Sequence, residues 1–139
     1  MPFRHADRSH DLETRIDLEI RERLEEAIDF VCLDALVRAR QASGRPAPVA
    51  DSAADRAEYT QHVVAFLRLL EAEMPETGGR RLRHDSSEEA RLLAGQAARA
   101  RALPDYWQRF ETLSARYLAE PAPSGSERRG VLARLFGRS

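Results

Sequence analysis

The sequence predicts an all-α fold: a helical bundle of four segments with one long N-terminal helix, then a flexible linker and a short C-terminal amphipathic helix. Apolar residues recur at spacings of three and four, no segment alternates with period two, and β-branched residues are few. Clusters of proline and glycine separate the periodic runs. We therefore expect residues 1–120 to form the bundle, residues 121–127 the linker and residues 128–139 a basic tail.

The first helix is predicted to run for about 30 residues, from a cap at Ser9 to the stop at 43–46. Its apolar stripe comprises Leu12, Ile16, Ile20, Leu24, Ile28, Val31 and Ala35. Between Ala27 and Val37, apolar residues cover nearly the whole circumference of the helix, more than one neighbouring helix would bury. This stretch predicts a homodimer that self-associates through Phe30, Val31, Leu33 and Val37.

Three further helices are predicted from their caps and breaks. The second begins at a Ser52 cap, the third at a capping box formed by Ser86 and Glu89, and the fourth after Pro104. The fourth helix carries aromatic residues at the spacing of one buried face: Trp107, Phe110 and Tyr117. This spacing favours core packing over a nucleic-acid stacking platform.

Charge and composition exclude several classes of function. Residues 1–79 hold 10 Arg against 16 acidic residues and residues 80–139 hold 12 Arg against 7, so the halves carry net charges of −6 and +5. The overall charge of −1 argues against a nucleic-acid partner. The absence of lysine excludes Schiff-base chemistry and a phosphate-binding P-loop lysine, and an all-arginine basic set is typical of a GC-rich bacterial genome.

A single cysteine, Cys32, cannot form an intramolecular disulfide, and we interpret the chain as cytoplasmic. Cys32 lies in the most apolar stretch of the first helix. It is therefore predicted to be a buried thiol rather than a nucleophile.

Two alternative functions depend on His62. Glu58 and His62 lie one helical turn apart, and Glu26 on the first helix offers a further carboxylate for a metal-binding bundle. Ferritin-like sites use a Glu-x-x-His pattern and hemerythrin-like sites use several histidines, and neither pattern occurs here. We therefore predict no cofactor and an exposed Glu58–His62 pair, with a ferritin-like or hemerythrin-like metal site as the alternative.

The third candidate is a histidine phosphotransfer domain, a helical bundle of similar length with an exposed histidine. Such domains place lysine three residues and glycine four residues after that histidine. Ala65 and Phe66 occupy those places after His62.

The C-terminal tail is the most distinctive segment. In a helix from Gly130 to Gly137, one side would be apolar, with Val131, Leu132, Leu135 and Phe136, while Arg134 and the flanking Arg128, Arg129 and Arg138 would face water. Residues 129–137 resemble the membrane-targeting tail of the Min-system cell-division ATPases, with Ala133 in place of a basic residue. The resemblance implies a membrane-docking tail and nothing about the bundle.

A protein groove is the other target considered for the tail, since residues 132–136 are also similar to the sliding-clamp peptide of bacterial replication proteins. Leu132 departs from that peptide, because it stands where glutamine is usual. The expected function is a non-catalytic adaptor or scaffold that self-associates and docks through its tail on a partner protein or a membrane surface. The expected location is cytoplasmic, with peripheral membrane contact.

Overall fold

The computed structural model describes residues 2–77 and 87–121, with side chains from residue 11 onward. Within these ranges the chain forms four helices and no strand: α1 (Pro2–Ala42), α2 (Ala53–Glu73), α3 (Glu88–Ala102) and α4 (Tyr106–Ala119). The predicted all-α bundle with a long first helix is confirmed. The linker from residue 122 and the whole tail lie outside the described residues.

Helix α1 begins earlier than its sequence signals indicate. The predicted start at Ser9 is wrong, because the helix runs without a break from Pro2 through Ser9 to Ala42. Proline suits the first position of a helix, since its missing N–H has no partner there in any case. With 41 residues, α1 extends about 60 Å, whereas the 15 residues of α3 extend about 22 Å.

The starts of the other helices agree with the predicted caps to within one residue. Ser52 caps α2, and its hydroxyl accepts a hydrogen bond from the Asp55 amide at 3.2 Å. Ser87, one residue after the predicted Ser86, caps α3 by accepting from the Ala90 amide at 3.1 Å. Consecutive serines are equivalent capping candidates in the sequence, so the geometry of the preceding loop decides between them.

The core lies between one side of α1 and the inner faces of α2, α3 and α4. Phe66 of α2 is at its centre, with ring centroids 5.4 Å from Phe110 and 5.3 Å from Tyr117 of α4. The other buried members of this cluster are Leu24, Ile28, Val31, Cys32, Ala35, Val63, Leu67, Leu70, Met74, Leu92, Tyr106 and Leu113. The predicted role of the α4 aromatic residues in core packing is confirmed for Phe110 and Tyr117, while Trp107 is half-buried.

Ion pairs fix the directions of the helices. Arg68 pairs with Glu88, and Glu71 pairs with Arg91, so α3 runs beside the second half of α2 in the same direction. Arg101 at the end of α3 pairs with Asp17 of α1, whereas Glu89 at the start of α3 acts on Cys32, further along α1, so α3 runs antiparallel to α1.

The turn between α1 and α2 is held by a buried guanidinium. Arg40, only 4% exposed, donates to the carboxylates of Asp55 and Glu58 and to the carbonyl oxygen of Pro46, the last at 3.3 Å. Both carboxylates belong to the first turns of α2. One side chain of α1 therefore binds the loop and the start of the next helix, and we call this set of contacts the α1–α2 junction.

The junction lowers the pKa of both carboxyl groups. For Asp55 the main cause is the hydrogen bond from Arg40, supported by the Val49 amide, which donates at 2.6 Å. For Glu58, burial raises the pKa, but hydrogen bonds and charge from Arg45 and Arg40 outweigh that effect and lower it overall. A lowered folded-state pKa stabilises the native protein above the unfolded-state pKa, and this contribution is lost as pH falls through the folded-state value.

We therefore expect Asp55→Asn to destabilise the protein most near neutral pH. The difference in unfolding free energy from the wild type should shrink as pH falls below about 4, because protonation removes the same charge from the wild type. Urea unfolding followed by circular dichroism at a series of pH values measures this. Asp51→Asn, an exposed change in the same loop, is the matched control and should differ little from the wild type. A pH-independent deficit for Asp55→Asn would contradict this role for the junction.

Candidate functional site

The candidate site is the side of α1 that faces away from the bundle. Leu24, Ile28 and Cys32 point into the core, whereas Phe30 is 73% exposed and Leu33 is 47% exposed. A helix turns about 100° per residue, so successive residues in this apolar stretch face different directions around the helix. The stretch that is apolar all round therefore buries one half of its surface and leaves the other half open to solvent.

Two of the four residues predicted for self-association are less exposed than that role requires. Val31 is 5% exposed and belongs to the core, because it lies one residue beyond Phe30 and faces α2 to α4. Val37 is half-buried. Phe30 and Leu33 are the members that the structure places fully on the surface.

Towards its N terminus, α1 extends beyond the bundle. Among the described residues, the bundle contacts nearest this end are those of Asp17 with Arg101 and of Arg23, whose guanidinium lies 3.9 Å from the ring centroid of Trp107. All residues from 11 to 19 are exposed. We call residues 11–20 the arm. Its exposed apolar side chains include Leu12 and Ile16, which the sequence pattern had assigned to the core stripe.

The arm and the second half of α1 share one continuous face. Its residues alternate at spacings of four and three, the heptad spacing of helices that pack in coiled coils. We call this set the outer face: Leu12, Ile16, Glu19, Arg23, Glu26, Phe30, Leu33 and Val37. The outer face was not predicted from the sequence, because the apolar stripe assigned to the core begins with the same two residues, Leu12 and Ile16. The heptad spacing from Leu12 to Val37 is the sequence feature that could have indicated this face.

The surroundings of the outer face are acidic. Residues 11–37 contain nine acidic residues and three arginines. Four of these carboxylates have partners among the described residues. Asp17 pairs with Arg101 and Glu25 with Arg21, Asp34 accepts from Arg38 at 3.1 Å, and Asp29 accepts from the Tyr59 hydroxyl at 2.5 Å. The face therefore combines an apolar seam with a polar, mostly negative rim, as protein–protein interfaces do.

The structure does not bring the candidate metal ligands together. His62 is 1% exposed, and its Nδ1 lies 2.7 Å from the Tyr117 hydroxyl. Glu58 binds Arg40 and Arg45 at the junction, and Glu26 is exposed on the outer face. In the part of the chain that the structure describes, no group of three potential ligands could hold a metal ion.

The predicted exposed Glu58–His62 pair is therefore wrong. Both side chains turn towards partners on other segments: His62 contacts the Tyr117 hydroxyl through Nδ1, and Glu58 pairs with Arg40 and Arg45. The buried position of His62 also differs from the exposed histidine of a phosphotransfer domain. Phosphoryl transfer requires that a second protein reach the ring.

The thiol of Cys32 is buried, as predicted. Burial, together with the negative charges of Asp29 and Glu89, raises the pKa of Cys32 to about 12. A thiol with that pKa carries almost no thiolate at neutral pH, so Cys32 is a packing residue of α1.

The tail residues singled out by the sequence lie outside the described residues: Arg128, Arg129, Val131, Leu132, Arg134, Leu135 and Phe136. Among the helices that are described, none is both long and apolar enough to cross a bilayer. Comparison with known proteins found no matching family model, no matching curated protein and no matching solved structure.

Proposed function

We propose that this chain is a non-catalytic adaptor or scaffold that self-associates through the outer face of α1 and docks on a target through its C-terminal tail. The observation that carries the proposal is the exposure of Phe30 and Leu33 on a helix whose opposite side forms the core. Fully burying a side chain of this size contributes about 1.5–3 kcal/mol. In a symmetric dimer, each of the two copies would bury its own Phe30 and Leu33.

The candidate chemical groups support a non-catalytic role. His62 contacts Tyr117, Glu58 is ion-paired at the junction, and the pKa of Cys32 is too high for a nucleophile at neutral pH. Each group is engaged in holding the fold together. The exposed features of α1 are instead apolar and charged side chains suited to packing against another protein.

The tail supplies the second half of the proposal, on the basis of its sequence. Burying its four apolar residues would contribute on the order of 5–8 kcal/mol, and ordering about eight residues costs a comparable amount. Nearby anionic lipid would add about 1 kcal/mol for each arginine close to the surface. A single tail is thus a weak anchor, and self-association strengthens docking by presenting two tails on one body.

We expect Phe30→Asp to lower the oligomeric state, because it places a charge in the apolar seam among acidic residues. Sedimentation velocity over a wide range of protein concentrations measures the effect. Leu18→Asp is the matched control, since Leu18 is an exposed apolar residue of the same helix that lies off the outer face. A wild type that sediments as a monomer throughout the range would overturn the self-association.

We expect the full-length chain to bind liposomes rich in anionic lipid, reversibly and more weakly at high salt, and Leu135→Glu to abolish the binding. Co-flotation with liposomes is the measurement. Ser126→Glu is the matched control, because it adds the same charge outside the apolar side of the tail. If the wild type ignores anionic liposomes at low salt, membrane docking is excluded and a protein groove remains the target.

A further inference from the structure

The outer face of α1 has the spacing of a helix that packs along a second helix. From Leu12 to Val37 it continues for nearly four heptads, a length of about 38 Å. Five of its eight residues are apolar, and they lie in two groups, one on the arm and one beside the bundle. The polar residues between the groups are Glu19, Arg23 and Glu26.

We propose that the occupant of this face is a second copy of the same chain, packed antiparallel, so that the arm of each copy lies on the bundled half of the other. The inference rests on the proposed self-association and adds its geometry. Setting Ile16 opposite Leu33 of the second copy also sets Leu12 opposite Val37. Each apolar group then covers the other group, and both copies contribute equally, as a two-fold dimer requires.

The charged residues favour this arrangement over a parallel one. In the antiparallel register, Arg23 of each copy lies opposite Glu26 of the other, and Glu19 lies opposite Phe30, which its methylene groups can cover. A parallel dimer in register would place Glu19, Arg23 and Glu26 each against an identical charge. The stacking of Arg23 on Trp107 uses the face of the guanidinium and leaves its N–H edge for a carboxylate.

The shape of the molecule allows the same arrangement. Helices α2, α3 and α4 pack on the side of α1 that carries Leu24, Ile28 and Cys32, and α4 reaches the outer face at Arg23, which stacks on Trp107. Residues 11–19 are all exposed, although Asp17 pairs with Arg101 of α3. Within the described residues, the outer face of the arm is therefore open to a second copy.

The main opposing contribution comes from acidic residues beside the seam. Glu13 would lie near Asp34 of the second copy, and Glu22 near Asp29. Asp34 and Asp29 already interact with Arg38 and Tyr59, and like charges at the solvent-exposed edge of an interface are screened by water and salt. By symmetry each of these like-charge pairs occurs twice, and burial of the apolar groups and the two Arg23–Glu26 pairs act against them.

Disulfide trapping between two differently tagged full-length variants tests the register. A mixture of Ile16→Cys and Leu33→Cys should form a covalent heterodimer under mild oxidation at least ~10-fold faster than either variant alone, because only opposed residues bring their Cβ atoms within about 4.5 Å. Leu18→Cys replaces Ile16→Cys in the matched control, since Leu18 is exposed on the arm but lies off the outer face. The wild type controls for the buried Cys32.

Three results would overturn the antiparallel register while leaving self-association standing. The first is rapid self-linking of Leu33→Cys, which indicates a parallel dimer. The second is a dimer by sedimentation that forms no link between Ile16→Cys and Leu33→Cys. The third is a link from Leu18→Cys to Leu33→Cys that forms as fast as the one from Ile16→Cys. A wild type that stays monomeric at every concentration would overturn both the register and the proposed self-association.

Discussion

The structure depends on a mismatch in length: α1 has 41 residues, while the helices that pack against it have 21, 15 and 14. The three shorter helices cover one side of α1, mainly along its second half. Among the described residues, the bundle contact furthest towards the N terminus is that of Asp17 with Arg101, and the arm has exposed apolar residues such as Leu12. An isolated helical segment of that length is marginally stable in water, which makes packing against another helix its natural source of stability.

The helices themselves could be predicted from the sequence because their apolar residues repeat with a helical period and local caps mark their starts. Ser52 behaves as its pattern indicates, since the Asp55 amide that it accepts from lies within the same turn. The predicted start at Ser9 was wrong because serine is also tolerated inside a helix, and no residue between Pro2 and Ser9 breaks the helix. The local sequence pattern thus shows where a helix is favourable. It does not define where the helix starts when no helix-breaking residue stands before it.

The candidate site was predicted less completely, for a physical reason. A stretch that is apolar all round does not indicate which side of the helix faces the core. The sequence therefore could not show that Val31 faces inward and Phe30 outward, because the positions of α2 to α4 decide this. The roles of Glu58 and His62 depend on distant partners: Arg40 lies 18 residues before Glu58, and Tyr117 lies 55 residues after His62. Contacts between residues so far apart in the sequence depend on how the helices pack. They cannot be predicted from the spacing of residues within one helix.

The central claim is that α1 continues beyond the bundle as an arm whose packing partner is a second copy. Hydrogen–deuterium exchange of the arm amides at low and high protein concentration tests this most directly, because an unpartnered helix opens easily and a packed one does not. We predict that protection of residues 11–20 rises with concentration, while residues 28–36, which lie against the core, stay protected throughout. Protection of the arm that is the same at every concentration, whether high or low, would contradict it.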